Sequence, residues 1–139
     1  MSSGKQGLLD TSTLILLSQL EDPTVLPEEP LISTVTLAEL SAGPLVALTP
    51  EEQARRQAHL QQAEADFDAI PFGVAEARAF GRVAASLRRG GRKPAARALD
   101  AMIAAVAIAN DLPLYTCDPK GFAGIDDLRL VAVPHPDRV

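Results

Sequence analysis

The amino-acid sequence predicts an α/β fold in which a mostly parallel five-stranded sheet is covered by helices on both faces. Two observations carry that expectation. Short apolar runs alternate with longer helical patterns from one end of the chain to the other, the signature of strand-helix-strand units. Aromatic residues are scarce, with four Phe, one Tyr and no Trp against 23 Ala and 19 Leu, which favours closely packed helices over an all-β sandwich. With 139 residues, 47% apolar and 22% charged, the chain reads as a single globular domain with its core from about residue 7 to 133.

The elements follow in order. Gly7–Asp10 is a short strand ending in an acid, and Thr11–Leu20 follows as a helix. Asp22–Pro30 carries three prolines and three acids and reads as a loop. Leu31–Ser33 is the second strand, and Thr34–Ala42 a helix stopped by Gly43 and Pro44. Thr49-Pro50-Glu51-Glu52 supplies a capping hydroxyl, a proline at the first helical position and first-turn acids, opening a helix to about Asp68. Ala69–Phe72 is the third strand, Val74–Arg89 a helix stopped by Gly90-Gly91, and roughly Ala96–Asn110 an Ala-rich helix. Pro113–Thr116 and Leu130–Val133 complete the sheet, leaving Pro134–Val139 as a polar, proline-broken tail expected to be loose.

Charge and cysteine content exclude several classes. A net charge of −5 means that contact with nucleic acid must come from a local patch rather than the whole surface. One cysteine, Cys117, rules out an internal disulfide and a cysteine-based zinc site; a buried structural thiol is its expected role. The opening MSSGKQ has no apolar segment of signal-peptide length, and no stretch approaches the roughly 18 apolar residues of a membrane span, so a soluble cytoplasmic protein is expected. Neither phosphate-binding glycine motif occurs. His59, on a polar helix face, and His135, in the tail, are both expected in solvent rather than in acid–base work.

Four acids stand out by position. Asp10 and Asp118 lie at carboxyl ends of strands, where ligands bind in open parallel sheets. Glu39 in TLAEL and Asp100 in ALDAMIAAVAIA sit inside apolar helical patterns, where a carboxylate is costly unless an arginine, backbone donors or a metal ion offsets its charge. Each has a plainer reading as well. Asp10 is a favoured helix N-cap, and Asp118 heads the turn sequence Asp-Pro-Lys-Gly. Glu39 can face solvent, and Asp100 can pair with Arg97 one turn earlier. Taken together, clustered carboxylates call for a cation, and an all-oxygen set selects Mg²⁺ or Mn²⁺, which activates water for attack on a phosphodiester. Beside them, Arg88, Arg89, Arg92, Lys93 and Arg97 place five positive charges in ten residues, either a solvated helix end or a contact for an RNA backbone or an acidic partner.

The order of the motifs LLDTS (Leu8–Ser12), TLAEL (Thr36–Leu40), ALDAMIAAVA (Ala98–Ala107) and TCDPKGF (Thr116–Phe122) resembles PIN-domain ribonucleases, and more narrowly the VapC toxins of bacterial toxin–antitoxin pairs. The resemblance implies a three-layer α/β/α sandwich with an acidic pocket at the strand ends. It implies that Asp10, Asp100 and Asp118 ligate Mg²⁺ or Mn²⁺, with Glu39 on a second ion or orienting the attacking water. Thr116 falls where such proteins carry a hydroxyl near the pocket and joins the basic residues as a candidate contact for RNA or a partner. The activity implied is endoribonuclease cleavage that inhibits translation or growth, leaving 5′-phosphate and 3′-hydroxyl ends. The partners implied are a VapB-type antitoxin lying across the acidic groove and a second copy of the chain. A PIN nuclease of RNA maturation, and a non-catalytic or phosphoacceptor domain on a related sheet, are the competing readings.

Overall fold

The computed structural model describes residues 5–138; Met1–Gly4, most of the N-terminal segment without an apolar leader pattern, and Val139 at the end of the tail lie outside them. Strands β1 (Gln6–Leu9), β2 (Glu29–Ser33), β3 (Ala69–Ile70), β4 (Leu114–Thr116) and β5 (Leu130–Ala132) form one sheet in the order β3-β2-β1-β4-β5. Every neighbouring pair is parallel, with Leu8 opposite Leu31 on one side and Leu114 on the other. Helices α1 (Thr11–Ile15), α2 (Thr34–Ala42), α3 (Pro50–Asp66), α4 (Val74–Arg89) and α5 (Ala98–Ala109) make the outer layers. Strand alternation divides the core in two. Leu8, Leu31, Ile70, Leu114 and Leu130 turn to the face covered by α4 and α5. Leu9, Ile32, Ala69 and Tyr115 turn to the face packed by Leu14, Leu40, Leu60 and Phe67. Two-faced burial is why these strands read as continuous apolar runs rather than alternating ones.

Local chemistry sets the boundaries. Thr49 caps α3 by accepting from the Glu52 N–H at 3.1 Å, with Pro50 at the first helical position. Gly90 caps α4, Gly91 takes φ +76°, and the Arg92 N–H returns to the Leu87 carbonyl at 2.8 Å, the left-handed helix stop that Gly-Gly was expected to make. Helix α5 is apolar nearly all round and is correspondingly buried from Ala101 to Ala107 save for Met102. Glu76, buried at the start of α4, accepts from its own Gly73 N–H at 3.0 Å and from Asn110 Nδ2 beyond the end of α5 at 2.9 Å, stapling those two helices.

Several elements depart from their expected bounds. The segment expected as a loop holds a 3₁₀ turn over Pro23–Val25 and yields its last two residues to β2, which starts at Glu29. Strand β1 shifts by one residue at each end, and β4 and β5 by one residue at one end. Helix α1 ends at Ile15 and passes into a 3₁₀ turn over Leu17–Gln19 instead of running to Leu20, which brings Leu14 and Leu17 against the same apolar cluster. Strand β3 is two residues long because Pro71 has no N–H to continue the ladder, and the Phe72 N–H donates to Thr34 Oγ1 at 3.2 Å instead. Helix α3 stops at Asp66 because Phe67 turns to extended backbone, φ −130° and ψ 143°, which carries the Asp68 carbonyl to the Ile32 N–H of the sheet at 3.2 Å. Helix α5 begins at Ala98, after a 3₁₀ turn over Pro94–Arg97. In the tail, Pro136–Arg138 form one further turn. Ile103→Ala, at a fully buried site of α5 in the larger core cluster, is expected to lower stability by about 2–5 kcal/mol in urea denaturation without moving the helical circular-dichroism signal of the folded protein.

Candidate active site

The chain builds outward from β1 through β2 to β3, then crosses to the opposite side of β1 to lay down β4 and β5. Connections therefore diverge between β1 and β4, and a crevice opens beyond the carboxyl ends of those two strands. Asp10 is the first residue past β1 and Asp118 the second past β4. Glu39 reaches the crevice from α2 and Asp100 from the first turn of α5. Four segments far apart in sequence thus deliver the four acids to one edge of the sheet.

Asp10 is the most deeply buried of them. It is 4% exposed and caps α1, its Oδ1 accepting from the Thr13 N–H at 3.0 Å. Its Oδ2 accepts from Ser12 Oγ at 3.0 Å and from Thr116 Oγ1 at 2.8 Å. The capping and site readings of Asp10 coexist in one side chain. Thr116 Oγ1 also accepts from the Asp118 N–H at 2.9 Å, so one hydroxyl ties the two strand-end acids together. Thr116 is fully buried inside the frame of the site, its hydroxyl standing at the pocket between two of the acids.

Glu39 accepts a 2.6 Å bond from Thr11 Oγ1, which lies 3.0 Å from Thr36 Oγ1. Burial, and secondarily the nearby Asp100 and Asp10 charges, push its carboxyl above the usual range despite that bond. Asp100 is raised as well, chiefly by burial and further by Asp10 and Asp118, even though Arg97 pulls the other way. Arg97 Nη1 stands 3.2 Å from Asp100 Oδ2 and 3.6 Å from Asp118 Oδ2, confirming the expected pairing one turn apart and extending it to a second acid. The Asp118 turn is as the sequence suggests, a 3₁₀ turn over Pro119–Phe122 in which the Gly121 N–H bonds the Asp118 carbonyl at 3.1 Å.

Oxygen-only donors whose proton affinity is raised, mainly by burial and secondarily by one another's charge, fit a hard divalent cation. As the side chains stand, however, no three Asp, Glu, His or Cys side chains among the described residues converge on one point. Asp100 and Asp118 face Arg97 instead.

Of the basic cluster, Arg97 alone pairs with acids of the site. Arg89 pairs with Asp126 at 2.5 Å, and Arg92 donates to the Ala123 and Lys120 carbonyls, so both tie down the loop after Asp118. Arg88 and Lys93 extend into solvent. His59 is not simply a solvated residue: it is half-buried and lines a groove with Thr11, Glu39 and Arg56, where α3 leans over α2. His135 is likewise partly covered, its Nδ1 accepting from the Asp137 N–H at 3.1 Å. Cys117 is buried, as expected, and its thiol is raised by that burial. The sequence reading passed over Thr11, Ser12 and Gly121, although all three lie within the motifs it singled out. Thr11 and Ser12 read as a helix start and Gly121 as the end of a turn, each of which they also are.

The family model of the PIN domain matches residues 8–128, a span from β1 to the loop beyond the Asp118 turn. The chain belongs to the PIN-domain family. It is 37% identical over 130 residues to ribonuclease VapC5 of Mycobacterium tuberculosis, an alignment covering 91% of this chain and 93% of that protein. The toxin–antitoxin complex VapBC-5 of Mycobacterium tuberculosis contains a chain that superposes with a TM-score of 0.79 at 35% identity, covering 92% of this chain and 98% of that one. A chain of VapBC-1 from nontypeable Haemophilus influenzae superposes with a TM-score of 0.72 at 21% identity, over 91% of this chain and 97% of that one, and supports the fold alone. Within its family the chain stands with the VapC-type members, as the four motifs implied.

The raised carboxyls carry a pH signature. Between the ordinary carboxylate range and their raised values, the folded state holds protons that the unfolded state has released, so stability falls as pH rises through that window. Glu39→Gln, which keeps an acceptor for Thr11, is therefore expected to raise the melting temperature of the protein in EDTA at neutral pH. The advantage should disappear by about pH 3, where glutamate is protonated in both states. Melting curves of both proteins from acid to neutral pH check this; a constant difference across the range contradicts it.

Proposed function

We propose that the chain is a metal-dependent endoribonuclease, the toxin of a type II toxin–antitoxin pair. The carrying observation is the delivery of four acids from four separate segments to the β1/β4 switch point. Likeness to a relative named as a ribonuclease supports RNA as the substrate. Asp10, Asp100 and Asp118, with Glu39, would hold Mg²⁺ or Mn²⁺, which when bound supplies a polarised water and offsets the charge that develops on the phosphodiester. The chain's own part is positional. Thr13, Ser12 and Thr116 hold the Asp10 carboxylate in a single orientation, and Thr116 fixes the backbone of Asp118. Glu39, with its raised proton affinity and its Thr11 contact, is suited to orient the attacking water and accept its proton. Arg88 and Lys93 are free to meet backbone phosphates at the rim. Cleavage leaves 5′-phosphate and 3′-hydroxyl ends, which in a cell stops translation or growth.

A VapB-type antitoxin is the partner this reading requires, and the neighbouring VapBC complexes support it. An apolar groove lined by Leu14, Leu17, Leu40 and Phe67 shares Ile15, Leu40 and His59 with the groove that reaches Thr11 and Glu39. Such a surface suits an amphipathic segment that ends across the acids. Assembly as a homodimer and a cytoplasmic location belong to the same proposal; no helix among the described residues is long and apolar enough to cross a membrane.

Two substitutions test the chemistry. Asp10→Asn and Asp100→Asn should each lower RNA cleavage at least about 100-fold, since even outer-sphere changes at metal sites cost 10–100-fold. Both should retain the far-ultraviolet spectrum of the wild type. Mapping of new 5′-phosphate RNA ends after brief induced expression should show them with the wild type and not with Asp100→Asn. The same ends in both samples would refute the assignment of Asp100 to the reaction.

A further inference from the structure

We propose that Arg97 is the built-in counter-cation of the acidic site, holding Asp100 and Asp118 in the place a divalent ion would take, so that metal uptake and withdrawal of the guanidinium are a single exchange. The inference rests on the metal-site reading above and adds a residue that competes with the ion rather than binding it.

Three observations on geometry support it. Arg97 Nη1 lies within 3.2 Å of Asp100 and 3.6 Å of Asp118, one donor group between two of the acids assigned as ligands. Its seat is shaped for it: a Cβ at Gly121 would stand 2.5 Å from Nη1, 3.2 Å from Asp100 Oδ2 and 3.3 Å from Asp118 Oδ2. Gly121 therefore leaves the hollow in which guanidinium and carboxylates meet. Finally, no three acids converge among the described residues, while two of the four are turned onto Arg97, as expected if the arginine draws that pair to itself and away from Asp10 and Glu39.

The exchange is physically reasonable. Arg97 is about half exposed and enters from a 3₁₀ turn at the head of α5, so its long side chain can withdraw without unpacking the core. Its charge also accounts for how the metal-free chain tolerates partly buried acids at one edge of the sheet: they are neutralised by a resident cation. A cation and a guanidinium within a few ångströms repel one another. At a surface-like effective dielectric, removal of the arginine strengthens metal binding by roughly tenfold.

Calorimetric titration of Mn²⁺ into metal-free wild type, Arg97→Gln and Arg97→Lys tests the exchange, with melting curves in EDTA and in Mn²⁺ alongside. The expected result is an affinity about tenfold tighter in Arg97→Gln than in wild type, with Arg97→Lys between them. Arg97→Gln should also melt lower in EDTA and gain more from Mn²⁺ than the wild type does. Gly121→Ala, which crowds the seat but keeps the charge, should shift Mn²⁺ affinity in the same direction. Equal Mn²⁺ affinity in wild type and Arg97→Gln would overturn the exchange and leave the metal site standing. Absence of Mn²⁺ binding by all four proteins would remove the metal site and the exchange together, whereas binding by the variants alone would establish the exchange in its strongest form.

Discussion

The pairing of β1 with β4 is the contact on which the site depends. It joins residues more than a hundred positions apart, Leu8 with Leu114 and Leu9 with Tyr115, and it creates the divergence of connections from which the crevice arises. The pairing leaves Gly7 no room for a side chain, because a Cβ there would run into the Tyr115 ring and Pro27. Past the end of the ladder, the Thr116 hydroxyl bridges Asp10 and the Asp118 backbone, and the Thr13 hydroxyl takes the Cys117 N–H at 2.9 Å. Shift the register by one residue and Leu8 exchanges faces with Leu9 while Asp10 leaves the crevice.

Electrostatics at that edge runs against stability and is offset locally. Two of the four carboxyls hold their protons more tightly than usual, chiefly because they are partly buried and only secondarily because other acids stand near them. The offsets are specific: hydroxyls and a helix amide around Asp10, the Thr11 bond to Glu39, and Arg97 between Asp100 and Asp118. Glu76 provides the contrast. It is a buried carboxylate too, but its partners are a backbone amide and an asparagine at the junction of two helices, and it has no part in the crevice. Burial of an acid is thus not enough to mark a site; the company of other acids at strand ends is.

Much of this was legible along the chain. The apolar runs located all five strands because a parallel sheet buries both faces, and Thr49-Pro50 and Gly90-Gly91 marked helix ends through chemistry that acts over three or four residues. Asp10, Glu39, Asp100 and Asp118 were legible as a set, since acids at strand ends or inside apolar helices are out of place. What was not legible acts across space. Pro71 shortened β3 by removing a ladder donor, and extended backbone at Phe67 ended α3 early and gave the Asp68 carbonyl to the sheet. His59 lies in a polar-looking helix and is half-covered only because α3 leans over α2. The basic stretch looked like a single patch, yet Arg89 and Arg92 fasten a loop and Arg97 turns to the acids.

The sequence by itself determined the fold class, the candidate acids and the family resemblance, because periodicity, capping and misplaced charge are short-range signals that a one-dimensional pattern retains. The tertiary structure decided which partner each of those groups has. Thr116 became an internal strut, Thr11 the partner of Glu39, and Arg97 the cation between two acids, with Gly121 clearing its seat. Those roles depend on distances between groups carried by separate strands and helices, and such distances exist only once β1 and β4 lie side by side.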